Sequence, residues 1–175
     1  MSDCDLTSGY SIPACNQGTG GVAQVWIGSW SGSSVLSLDS DNIITGATTS
    51  PSMYEFEMDG ETINYTENEV GVAPGQFGGI YFNQVLNLVF NRNTSSIRNK
   101  IMLLSQTKIQ AVVQDNNGLY WLLFHESGGR VSTGTGGTGK VMGDPNSTSI
   151  EFQSNSSVKA YEVNSTALTD FGITI

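Results

Sequence analysis

GIYFNQVLNLVFNRNTSSIRNKIMLLSQTKIQAVVQDNNGLYWLLFH, Gly79–His125, changes its hydrophobic period twice, and those changes decide the fold. From Gly79 to Asn91 apolar residues alternate: Ile80, Phe82, Leu86, Leu88 and Phe90 share one face. Asn83, Asn87 and Asn91 interrupt the other face between Tyr81, Val85 and Val89. A period of two is that of a strand, so 79–91 reads as the longest strand of the chain. Over 94–107 the period lengthens. Ile97, Ile101 and Leu104 fall at i, i+4 and i+7, Met102 and Leu103 widen the stripe, and Thr94 or Ser95 can cap the first turn. The spacing predicts one α-helix of about three turns. KIQAVVQ and LYWLLFH then flank Asp115-Asn116-Asn117-Gly118, residues tolerant of positive φ, which predicts a hairpin over 108–125. Its second arm is apolar on both faces, as a central strand covered by the helix would be.

Outward from this segment the chain reads as short strands and turns. VAQVWI (22–27) and SSVLSL (33–38) are strand candidates, and DSDN (39–42) is a turn. SMYEFEM and ETINYTE flank Asp59-Gly60, a strong short-range hairpin signal, predicting a hairpin over 53–67 with Tyr54, Phe56 and Met58 opposite Glu55 and Glu57. Gly and Pro make 68–79 a loop, and Gly and Thr make 126–147 another. TSIEFQS and VKAYEV predict a last hairpin around Asn155-Ser156 within C-terminal strands 148–175, with Leu168–Ile175 as an edge strand. The sum is an N-terminal arm, 1–20, and one mainly β domain, 21–175: a β-sandwich or barrel-like pair of sheets of about eleven strands with one flanking helix and long Gly-rich loops.

Composition narrows function. The chain has 175 residues, 38% hydrophobic and only 13% charged, with a net charge of −9. The polar surface is Asn, Ser, Thr, Gln and Gly, which suits surfaces packed into assemblies, where charges are costly to desolvate. A basic nucleic-acid footprint is absent. MSDCDLTSGYS has neither the basic nor the apolar part of a secretory signal, and no run reaches a membrane span. Cys4 and Cys15 are expected as thiols unless the final compartment oxidises them. The five N-x-[ST] sequons, at Asn64, Asn93, Asn146, Asn155 and Asn164, reflect composition rather than glycans.

No chemistry-bearing constellation stands out. Gly134 to Lys140 fits most of a phosphate-binding loop, G-x-x-x-x-G-K-[ST], but Val141 occupies the hydroxyl position and MGDPNSTS behind it cannot open a helix. His125 is the only histidine and ends an apolar strand beside Glu126. Asp39, Asp41 and Asn42 start like a calcium loop, yet the glycine and glutamate that complete one are missing. Trp26, Trp30 and Trp121 could stack on a sugar, but core packing is the stronger reading. The expectation is therefore no catalytic, cofactor-binding or metal-binding residue.

At this point a resemblance enters. SGYSIPACNQGTGGVAQVWI (8–27) looks like the opening of virion proteins from phages and prophages of Bacteroidetes: a Gly, a Cys and a Gly-Gly pair before a strand ending in aromatic-Ile. The order of long strand, helix and D-N-N-G-aromatic hairpin over 77–129, then GTGKVMGDPN and TSIEFQS, resembles tail-tube-like subunits and covers most of the chain. Phe124-His125 departs from the aliphatic or Gly often found after that hairpin. The resemblance implies a non-enzymatic virion structural protein, made in a bacterial host cytoplasm, that self-assembles into rings, usually sixfold, stacked head to tail. Its partners would be itself and other virion proteins. The genome would pass an acidic lumen without specific binding, and no membrane is involved. Segments 66–79 and 127–146 would be the contact loops, with Lys140 available to an acidic patch. A capsid decoration, head-completion or neck protein would share these features, and a carbohydrate-binding β-sandwich is a further alternative.

Overall fold

The computed structural model describes residues 9, 18–58, 62–71 and 78–174. Eleven strands among these residues form two sheets. In chain order they are β1 (Val22–Ser29), β2 (Val35–Leu38), β3 (Ile44–Thr48), β4 (Tyr54–Phe56), β5 (Asn64–Val70), β6 (Tyr81–Asn91), β7 (Ile109–Asp115), β8 (Tyr120–Leu123), β9 (Arg130–Gly137), β10 (Ser147–Ser156) and β11 (Tyr161–Val163). The larger sheet runs β2-β3-β11-β8-β7-β1-β4, and the smaller runs β5-β6-β10-β9. All pairings are antiparallel except β11 with β3. The mainly β sandwich expected from the sequence is the fold.

The main core lies between the sheets. Val25 and Ile27 of β1, Ala111 and Val113 of β7 and Leu123 of β8 meet Leu86 and Leu88 of β6 and Ile150 and Phe152 of β10. The alternation in β6 is as the sequence predicts, with one insertion: Gln84 is buried in the apolar row. Its amide is satisfied on both sides. Oε1 accepts the Phe124 backbone N–H at 2.8 Å, and Nε2 donates to Glu67 at 3.1 Å. A buried amide with both ends paired fixes the register of β6 against β5 and the end of β8. Phe82 lies under Lys159, just before β11, whereas Phe90 meets Phe56 of β4 edge-on at 6.2 Å. β6 therefore runs across the strands of the larger sheet, from the β11 side to β4, as in orthogonal packing.

The helix α1 (Ser95–Gln106) is capped by Thr94, whose Oγ1 accepts the Ile97 N–H at 3.3 Å. Ile97, Ile101 and Leu104 close one end of the core as their spacing predicts. Met102 and Leu103 do not widen that contact; both are more than half exposed.

Five expectations need correction. The segments flanking Asp59-Gly60, a pair outside the described residues, are not a hairpin: β4 pairs with β1 in one sheet and β5 with β6 in the other. The segment crosses the sandwich because Met53 and Ile63 sink into cores on opposite sides of the larger sheet. β10 and β11 likewise part company, one in each sheet. Within the supposed loop 126–147, residues 130–137 form β9, held along β10; Gly136 suits that pairing, since a Cβ there would crowd the Thr148 side chain, 2.7 Å from its Oγ1. The C-terminal segment is no edge strand. Ser165–Phe171 is a 3-10 helix started by Asn164, whose side chain accepts the Thr166 N–H, and ended by Gly172 at φ 71. It, and not α1, covers the outer face of β8: Leu122 and Tyr120 pack with Ala167, Leu168, Phe171 and Ile173 in a second core.

Candidate functional site

The candidate residues lie at scattered places in the fold. Gly134 sits in β9 opposite Ile150, not in a loop. The Lys140 and Val141 N–H groups, which a phosphate-binding loop would aim at its ligand, donate to Asp144 Oδ2 at 2.7 and 3.1 Å. The protein's own carboxylate fills the anion position. Asp39 is equally occupied, accepting the N–H groups of Asp41 and Ile43 at 2.9 Å each, so 39–42 is a turn. Glu55 and Glu57 are exposed, the former near Gln24. No group of three or more potential metal ligands occurs among the described residues, and Cys4 and Cys15 lie outside them. No helix among the described residues is long and apolar enough to cross a membrane.

The tryptophans make no shared platform. Trp26 is buried 6.1 Å from the Tyr120 ring, and Trp121 packs on the main core. Trp30 donates from Nε1 to the His125 carbonyl at 2.7 Å and carries Lys108 over its ring at 4.5 Å.

His125 and Glu126 form a structural corner. Phe124 before them has φ 63, the region that favours glycine, and its ring lies so close to Gly129 that a Cβ there would approach Cδ2 to 2.6 Å. Burial pushes the His125 pKa below 6.5, against the opposing pull of Glu126. Burial works to raise the Glu126 pKa, but hydrogen bonds from the Ser157 side chain and backbone and from Ser156 outweigh it, and the carboxyl lies below 4.5. Both shifts have one consequence. The unfolded chain binds more protons at each group, so stability rises with pH. The His125 contribution is complete above pH 6.5 and fades as pH falls below it, and the Glu126 contribution fades below pH 4.5. We expect the melting temperature to fall between pH 7 and 5, with His125→Gln flattening that part of the profile; an unchanged slope in this variant would exclude His125 as its cause.

What remains is the smaller sheet. Its two outer strands, β5 and β9, are its edges. Natural edge strands are blunted by charge, proline, bulges or cover. β9, RVSTGTGG, has one charge, at its first residue, and Ser132–Gly137 are all exposed. A bulge opposite Glu151 and Phe152 is its one irregularity. Register gives the sheet face turned away from the core: Thr66, Val85 and Gln153 form one row across it, and Asn64, Asn87, Glu151 and Thr133 the next. Toward either end of the sheet it continues with Asn68, Asn83 and Asn155 and with Val89, Ser149 and Thr135. Asn83 donates to Asn155 across this face at 2.8 Å. Glu151 and Arg130 are the charged residues on it. No signal in the sequence marked β9 as a strand, because glycine and threonine loops and glycine-rich edge strands share a composition. No family model matches this chain, and a comparison with curated proteins returns no match.

Proposed function

We propose that this protein is a non-enzymatic structural subunit of a phage particle that joins copies of itself edge to edge into a ring, the repeating unit of a tail tube. β9 and β5, the outermost strands of the four-stranded sheet with no further strand paired to them among the described residues, carry this reading. Because the sheet is antiparallel throughout and has an even number of strands, β9 and β5 run in opposite directions. Under cyclic symmetry β9 of each copy therefore meets β5 of the next in antiparallel sense. The ring closes as one antiparallel barrel that leaves no edge open. The segments expected as contact loops, 66–79 and 127–146, contain much of these two strands.

The face that would line the barrel changes one part of the reading. It carries amides, hydroxyls, Val85 and Val89, with Glu151 and Arg130 of opposite charge, so the lumen proposed here is near neutral where the resemblance implied an acidic one. A surface without clustered cations releases no counterions from DNA and gains no non-specific affinity, which suits passage of a genome. Electron microscopy of the purified protein, with its mass in solution, tests the proposal. Rings or tubes with a central hole are expected. A monomer or trimer that never closes into a ring would sink it and favour a capsid decoration or head-completion protein.

A further inference from the structure

Beyond β9 the chain makes an exposed apolar tip. Met142 is fully exposed and Val141 is 69% exposed. The tip is nonetheless shaped: Asp144 accepts the N–H groups of Lys140 and Val141, the Asp144 N–H donates to the Val141 carbonyl at 3.0 Å, and Gly139 turns at φ 74. A pre-shaped apolar knob loses little entropy on docking.

The matching hollow lies at the same end of the sheet. β9, β10 and β6 remain in register to Gly137, Ser147 and Asn91, whereas the β5–β6 ladder ends at Asn64 and Asn87. There a cleft of about 810 Å³ opens between β4, the end of β6 and α1, with Phe56, Met58, Phe90 and Ile97 in its wall. Glu55, Glu57 and Lys100 also line it. Glu55 and Glu57 complement Lys140, which adjoins the knob. In a cyclic ring every copy points the same way along the axis. The end of β9 that carries the knob thus arrives beside the end of the neighbour's β5 where the cleft opens.

We propose that Val141 and Met142 of one copy seat in the cleft between β4, β6 and α1 of the next, a lateral lock set beside the β9–β5 seam. The lock rests on the ring reading, and the experiment separates the two. In a Cys4→Ser/Cys15→Ser background, Met142→Cys protein is mixed with Met58→Cys protein, assembled and oxidised. A disulfide-linked dimer is expected from the mixture and from neither protein alone. Met142→Asp, at a fully exposed position, is expected to leave the melting temperature of the subunit unchanged while lowering the assembled fraction at least tenfold. Rings that form without the cross-link, and form equally well with Met142→Asp, would overturn the lock and leave the ring standing. Failure of the parent protein to form rings at all would remove the ring reading and the lock with it.

Discussion

Proline at one of two adjacent β9 positions, Gly134 or Thr135, is expected to abolish the proposed ring assembly and to leave the subunit folded. Successive residues of a strand turn their N–H groups to opposite sides. In β9 one parity points at β10, and the other points away from it, where no strand is paired among the described residues. Proline removes an N–H donor and is tolerated in a sheet only where that donor faces outward. Of Gly134→Pro and Thr135→Pro, the variant that loses the inward N–H should destabilise the subunit by about 1–3 kcal/mol, the cost of an acceptor left without its donor. The other should melt like the parent yet remain a monomer by mass and microscopy. If that second variant assembles as the parent does, β9 is not the seam.

Phe171→Ala should cost about 3–5 kcal/mol, the range for deleting a large buried aromatic side chain. Phe171 is fully buried at the end of the 3-10 helix, and its carbonyl accepts the Met53 N–H at 2.9 Å. The side chain is part of what keeps water from Trp26, Val112 and Leu122 on the outer face of the larger sheet. Chemical denaturation of the purified variant measures the loss. A cost under 1 kcal/mol would mean that the C-terminal segment is an accessory to the fold rather than its second core. Thr169→Ala, on the exposed side of the same helix, is the control and should change stability by no more than about 0.5 kcal/mol.

Both variants probe features that local sequence patterns concealed. Gly134 and Thr135 read as loop because glycine and threonine carry no apolar alternation; β9 is a strand because β10 offers it a ladder. Leu168, Phe171 and Ile173 read as strand because a short apolar run does not distinguish the two periods. The Asn164 cap and Gly172 at positive φ were the local signals available for a 3-10 helix.

The sequence by itself determined the class of fold, the long strand β6, the helix with its Thr94 cap and the β7–β8 hairpin. Each is a contiguous segment whose period, cap or turn residues act over a few neighbours. Only the tertiary structure decided which strands share a sheet. Asp59-Gly60 and Asn155-Ser156 carry turn chemistry, but turn chemistry sets local backbone conformation and cannot choose between pairing with the next strand and crossing to the other sheet. That choice was made by burial over long sequence separations: Met53 and Ile63 on opposite sides of the larger sheet, and Phe152 and Val163 in separate cores. The outermost places of β9 and β5 in their sheet, among the described residues, are a product of that same long-range sorting, so the candidate site became visible only once the sheets had been assembled.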